Sequence, residues 1–258
     1  MSGLRDLARR MAIDGPVSIR NASSRRVRVQ LGGKFIADST NAKHVWEHPS
    51  YPQFYIPITD LTKHESHKKV DEIKNDSGHT LAEIWRVSAG SKSSDAVYFR
   101  PGYGQLGGLI RLTFHEMDQW YEEDTPIYVH PKDPTKRIDV LPSTRPIEIH
   151  LDGHVLAKSS HCLHLIEPLL PTRYYLPPTS VDPSILRRSG SRSRCPYKGE
   201  AEYYDVVVDG KVYRDLIWWY RYPTSEVAPI AGALCFYNEK VDVVLDGQKL
   251  ERPKSKFA

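Results

Sequence analysis

The chain has 258 residues, 40% hydrophobic, 26% charged and 10% aromatic, with 36 basic against 32 acidic side chains. That apolar content is enough for one large domain or two smaller ones, and it excludes disordered, collagen-like and disulfide-scaffold classes. A net charge of +4 is too mild to imply nucleic acid, and the longest apolar runs fall short of the roughly 18 to 20 residues of a membrane helix, so neither partner is expected.

Residues 1–17 read as an N-terminal extension. Arg5, Asp6, Arg9 and Arg10 interrupt the apolar core that a secretory signal needs, which predicts a reducing, cytoplasmic location. Cys162, Cys195 and Cys235 form no CxxC pair and cannot supply a four-thiolate zinc site.

From Ser23 to Leu61 the chain matches Ser143 to Val181 without a gap, at a constant offset of 120. Identities include Arg25/Arg145, Leu31/Leu151, Gly33/Gly153, His44/His164, Glu47/Glu167, Tyr55/Tyr175 and Pro57/Pro177. Later segments match more loosely, with loop-length drift. Chance alternation between unrelated β segments does not keep Gly, Pro, Tyr and Glu in step, so the chain divides into a first unit, 18–138, a second, 139–252, and a tail, 253–258.

Each unit opens with alternation (Val27 to Leu31, Ile147 to Leu151) followed by Gly-Gly or Asp-Gly, the signature of a hairpin. The next segments, AKHVWE and CLHLIE, fit either one helical turn or a strand. The Pro-rich pieces YIPITD and YYLPPTSVDP read as loop or edge strand, because proline removes donors. Residues 61–79 and their counterpart, DPSILRRSGSRSRCPYKG, are polar and read as the variable loop of the unit. The remainder alternates around Asp209-Gly210 and Asp246-Gly247, so each unit is mainly β.

Several motifs in the second unit carry a resemblance: Ala157-Lys158-Ser159, Glu167, the run Pro171 to Pro178, Cys195-Pro196-Tyr197-Lys198-Gly199-Glu200-Ala201, Trp219-Tyr220, Ile230-Ala231-Gly232, Phe236-Tyr237-Asn238-Glu239 and Val241-Asp242. Together they resemble the domain of unknown function 427 family, which also bears a nucleotidyltransferase-like label. The resemblance implies two β-tent-like antiparallel units in tandem, each with two small sheets meeting at an angle, and it implies no settled reaction. The first unit carries Asp76-Ser77-Gly78-His79 where the second has Cys-Pro-Tyr-Lys, so it reads as degenerate at the signature loop. Lys158 stands where the family usually has Asp.

The strongest candidate chemistry lies at that loop. Cys195, Tyr197 and Lys198 follow Arg187, Arg188, Arg192 and Arg194, so a thiol is presented with cations. The plainer alternative is a buried small cysteine, a Lys198 paired with a carboxylate and a solvated arginine strip. Lys198 and Arg173 would hold an anion; Tyr175, Tyr197 or Glu239 would transfer protons; Trp219 and Tyr220 would wall the pocket. His164 and Glu167, like His44 and Glu47, would share a face on a helical turn but point apart on a strand. The pattern HCLH gives little support for a metal, so no metal and no organic cofactor are expected. The acidic run with His115, Glu116, Asp118, Glu122, Glu123 and Asp124 would be a solvated hairpin end pairing with Lys132, Lys136 and Arg137.

The resulting expectation is a small-molecule enzyme doing acid/base chemistry of lyase or isomerase type on an anionic or carbonyl-bearing metabolite. The alternative is a non-catalytic module that binds or senses an anionic or aromatic ligand. The two units are expected to pack on each other, and a homodimer is compatible with the sequence.

Overall fold

The computed structural model describes residues 2–22, 24–62 and 66–255. Ser23 at the head of the repeat, residues 63–65 of the polar stretch and residues 256–258 of the tail lie outside them. The chain forms two compact units, residues 1–133 and 134–258, so the linker from Pro134 belongs to the second unit rather than, as expected, to the first.

In the first unit a helix, α1 (Ser2–Ile13), precedes eleven strands. They are β1 (Ser18–Asn21), β2 (Val27–Leu31), β3 (Lys34–Ser39), β4 (Lys43–His48), β5 (Tyr51–Pro57), β6 (Ser66–Lys74), β7 (Thr80–Ala89), β8 (Lys92–Tyr98), β9 (Leu109–Leu112), β10 (Gln119–Glu122) and β11 (Thr125–Ile127). The second unit repeats the series as β12 (Asp139–Ser143), β13 (Ile147–Leu151), β14 (His154–Ser159), β15 (Cys162–Ile166), β16 (Arg173–Leu176), β17 (Leu186–Cys195), β18 (Gly199–Val208), β19 (Lys211–Tyr220), β20 (Leu234–Phe236), β21 (Asp242–Leu245) and β22 (Gln248–Lys249).

Each unit has a seven-stranded and a four-stranded antiparallel sheet, in the orders β1-β4-β5-β9-β8-β7-β6 with β11-β10-β2-β3, and β12-β15-β16-β20-β19-β18-β17 with β14-β13-β21-β22. The orders correspond strand for strand. Even the register shift agrees, falling between Val29 and Gln30 in one unit and between Ile149 and His150 in the other. A β-bulge at the same repeat position is the mark of two copies of one unit. The expected hairpins form where Asp-Gly permits a left-handed backbone, with φ of 48° at Asp152 and 85° at Gly153.

Alternation divides the side chains between two faces of the large sheet. In the first unit Phe54, Ile56, Ala96 and Ile110 pack against Val27, Val29, Ile36 and Trp120 of the small sheet. On the other face Val45, Tyr55, Ile84, Val97 and Phe99 lie under Ala8 and Met11 of α1. The supposed extension is therefore a docked amphipathic helix. In the second unit Leu176, Val206, Ile217 and Phe236 face Ile147, Ile149 and Val243, while Leu165, Tyr175, Trp218, Tyr220 and Cys235 turn outward to Val227, Ile230 and Ala233.

Two loop assignments are corrected. The polar stretches contain β6 and β17, ten-residue β17 pairing with β18 from Leu186↔Val206 to Cys195↔Gly199. As edge strands with little buried on them, they carry charges that blur the alternation signal. The Pro-rich pieces contain β5 and β16, both interior strands; Pro57 ends β5 and Pro177 follows β16, so the ladder keeps its donors. Of the two conformations open to AKHVWE and CLHLIE the strand is the one formed, as β4 and β15.

The acidic run also finds other partners than those expected. Asp118 takes Lys92 and the backbone N–H of Gly33, Glu122 takes Arg25, Glu116 accepts from Ser94 and Asp124 pairs with Arg28. Lys136 and Arg137 go instead to Glu167 and Asp139. Among the described residues no helix is long and apolar enough to cross a membrane.

Candidate functional site

The outward face of the second unit's large sheet gathers most of the sequence-selected side chains. Glu167, just beyond β15, is 5% exposed. Its Oε1 accepts from Lys136 Nζ at 2.6 Å, and its Oε2 accepts from Lys198 Nζ. Burial works to raise the Glu167 pKa, but the Lys198 charge and the hydrogen bonds of both lysines hold it below the ordinary carboxylate range. Two ammonium groups on one buried carboxylate leave a local excess of positive charge.

Lys198 reaches Glu167 because the β17–β18 hairpin folds tightly. The Lys198 N–H donates to the Cys195 carbonyl, Thr224 N–H donates to the Lys198 carbonyl, and Thr224 Oγ1 donates to the Tyr197 carbonyl. Gly199 closes the turn at φ +102°, and a Cβ there would lie 3.1 Å from the Tyr222 carbonyl oxygen. Lys198 Nζ lies 4.0 Å from Cys195 Sγ. Lys136 Nζ also sits 4.8 Å from the centre of the buried Tyr197 ring, a cation–π contact. Lys136 was assigned to the acidic run on sequence; with its carboxylate partner distant in the chain, spacing carried no signal for its place here.

Arg173 does not join Lys198 around a common anion position. It binds Glu239 through both terminal nitrogens at 2.7 Å, donates to Asn238 and lies 5.3 Å from the Trp218 ring. Burial works to raise the Glu239 pKa, yet the hydrogen bonds from Arg173 and Ser255 hold it low. Asn238 donates onward to the Thr172 carbonyl and lines a cleft of about 230 Å³ with Thr172, Tyr174 and Val241. Tyr175 accepts from Trp218 Nε1 at 2.9 Å, and burial pushes its phenol well above the ordinary value. It is therefore a proton donor or a fixed dipole, not a base at neutral pH.

The expected Trp219–Tyr220 wall is split, because consecutive strand residues face opposite ways. Tyr220 lies in the outward cluster beside Trp218. Trp219 turns inward, stacks on Tyr204 at 6.0 Å and carries Arg221 over its ring at 5.2 Å. The histidine–glutamate pairs are separated for the same reason. His164 meets Tyr174 edge-on at 5.0 Å, and burial beside Arg145 lowers its pKa. Its counterpart His44 packs on Phe54 at 4.8 Å, with neither ring nitrogen hydrogen-bonded.

Cys195 is half-exposed, whereas Cys162 and Cys235 are buried and burial pushes the Cys162 thiol up to about 11. Arg192 and Arg194 pair with Glu200 across the β17–β18 ladder. Among the described residues no three His, Cys, Asp or Glu side chains converge as metal ligands.

The first unit builds the same corner differently. Glu47 takes Arg111, with Nε to Oε1 at 2.9 Å, and the Tyr55 hydroxyl at 3.2 Å. Its hairpin, Asn75 to His79, is instead tied by the Asn75 side chain accepting from the Ser77 and His79 N–H groups, with Gly78 exposed.

The family model described as Domain of unknown function (DUF427) matches residues 20–123 and again residues 139–247. The chain belongs to this family. Its two matched segments coincide with the two copies of the strand order, so this DUF427 chain is a tandem member. No curated protein matches it. The Cys195-Pro196-Tyr197-Lys198 turn occurs only in the second copy, where Lys198 bonds Glu167.

Proposed function

We propose that the second unit is a small-molecule enzyme whose centre is Lys136, Glu167 and Lys198, acting by acid/base chemistry of lyase or isomerase type on an anionic or carbonyl-bearing metabolite. The observation that supports this reading is the sharing of one buried carboxylate by two lysines. A ligand carboxylate, or the oxyanion of an enolate forming from a carbonyl, would meet an uncompensated positive charge in a site of low polarity, where such stabilisation is strongest. Cys195, beside Lys198, and Tyr197, under Lys136, would serve as the proton carriers of that centre. Arg173 and Glu239 position Trp218 and Asn238 rather than bind the anion. No organic cofactor is required for such proton transfers, and the ligand would be met in the cytoplasm.

A second reading is a binding or sensing module without turnover. It is favoured by the way two of the candidate proton carriers are engaged, Tyr175 by Trp218 and Glu239 by both arms of Arg173. Incubating the purified protein with a cell metabolite extract, and following the mixture by mass spectrometry, separates the two. A carboxylate or carbonyl compound consumed by the wild type and spared by Lys198→Met supports the enzyme. Retention of such a compound without consumption supports the module. No consumption and no retention would overturn both.

A further inference from the structure

Cys195 and Lys198 bracket one hairpin turn, and their reactive atoms point the same way. Sγ and Nζ are 4.0 Å apart, the turn is fixed by Thr224 and Gly199, and Glu167 accepts a hydrogen bond from the same Nζ. An amine held beside a thiol, with a carboxylate able to relay its proton, is the arrangement that traps an oxidised sulfur. Cysteine sulfenic acid condenses with a backbone nitrogen to a sulfenamide, and an unprotonated lysine amine is a stronger nucleophile than an amide. Of the three cysteines, only Cys195 is reachable from solvent; Cys162 and Cys235 are buried in their clusters.

We propose that the signature loop is a reversible oxidation site, at which peroxide converts Cys195 and Lys198 into an internal sulfenamide. In the first step the Cys195 sulfur attacks the peroxide O–O bond, taking one oxygen as sulfenic acid and releasing one water. In the second, Lys198 gives one ammonium proton to Glu167 and onward to solvent, and its nitrogen attacks sulfur. The S–O bond breaks, an S–N bond forms, and the hydroxyl leaves with a proton as a second water. The net change is the loss of two hydrogens from the protein, balanced by reduction of peroxide. Two equivalents of a thiol reductant reverse it, restoring thiol and amine and forming one disulfide.

The bridge has a direct consequence for the proposed centre, because it removes the Lys198 positive charge from Glu167 and leaves Lys136 as its cation. Oxidation would therefore switch off anion binding at this loop. The bridge itself does not depend on the site's being catalytic, so its test reads covalent structure rather than turnover. The first unit has neither thiol nor amine in its hairpin, residues 75–79, and carries no such site.

The protein is treated with hydrogen peroxide, its remaining thiols are alkylated, and it is digested with trypsin without reductant. A lysine bonded through its nitrogen to sulfur is no longer a trypsin site. The expected product is a peptide running from Cys195 to Lys211, uncut after Lys198, two hydrogens lighter than the free sequence, and split in two when thiol is added before digestion. Lys198→Arg keeps a cationic side chain and a cleavage point and should give only oxygenated Cys195, with normal cleavage. Wild-type protein that gains oxygen at Cys195 while trypsin still cuts after Lys198, or whose Cys195 remains fully alkylated, would overturn the proposal.

Discussion

Cys235 holds the sheet position of Arg111: the first stands opposite Tyr175 on β16, the second opposite Tyr55 on β5. The glutamate that each corner buries is common to both units, but its cation is not. In the first unit the charge comes from within the sheet, on β9. In the second that position carries a thiol, and Lys198 and Lys136 bring charge from loop and linker. The Arg111 and Lys198 side chains are almost equally buried, at 12% and 11% exposure, but only Lys198 sits in a turn, and the site proposed above is placed in the second unit for that reason.

Removing Lys198 should expose the cost of that arrangement. Breaking a buried pair leaves an uncompensated charge, but Lys136 remains, so Lys198→Met should destabilise the second unit by roughly 2 to 4 kcal/mol. Adding Lys136→Met should cost more still, because Glu167 is then a buried carboxylate with neither lysine. Denaturant titration of both variants checks this, and a double variant no less stable than the single would contradict it.

Arg111→Met should be at least as costly for the first unit, roughly 3 to 5 kcal/mol, since among the described residues the Glu47 carboxylate is given no second cation, Arg10 reaching its backbone carbonyl instead. Hydrogen exchange of β4 and β5 amides reports this locally. The loss should not appear in β15 and β16.

Acid should weaken the first unit before it protonates most carboxylates. Burial, with Arg25 nearby, pushes His44 down to about 4, whereas an unfolded histidine titrates near 6.5. The unfolded chain therefore binds more protons between those values, and the contribution present above about 6.5 is lost as pH falls toward 4. About 2 kcal/mol should disappear between pH 7 and 5. His44→Phe should flatten that slope, as measured by urea unfolding at the two pH values. Glu167, whose folded pKa is lowered, contributes stability above its unfolded value that is lost only at lower pH, so His44→Phe should leave that later loss in place.

Gly199→Ala should disturb the loop without touching any charge. It forces a side chain into a left-handed backbone and against the Tyr222 carbonyl, at a cost of about 1 to 3 kcal/mol. Lys198 should then react faster with amine-directed acylating reagents, read by peptide mass spectrometry. Unchanged reactivity would mean that Gly199 does not position Lys198.

Much of the fold was readable because the repeat is ungapped over its first strands, and because Asp-Gly turns and Val27/Ile147 alternation obey local rules. The edge strands β6 and β17 were not readable: their charges suit an exposed edge, and only their pairing with β7 and β18 makes them strands. The helix α1 was missed because Arg5, Asp6, Arg9 and Arg10 mark its solvent side and hide Ala8 and Met11. Within the site, Cys195, Tyr197 and Lys198 stood out as a motif and Glu167 through the repeat. Lys136 did not, since its partner is set by tertiary folding. The Trp219–Tyr220 wall failed on simple strand geometry, which assigns Trp218 and Tyr220 to the same face.

The central claim is that Lys136 and Lys198 together form the anion site. Equilibrium dialysis of the protein against a mixture of small carboxylates and keto acids, analysed by mass spectrometry, tests it most directly. Loss of one charge-assisted hydrogen bond should weaken retention about tenfold or more. Retention of an anion by the wild type and by the surface variant Lys211→Met, with that loss in both Lys136→Met and Lys198→Met, is the predicted result. Retention unchanged in the two site variants, or no retention by the wild type, would contradict it.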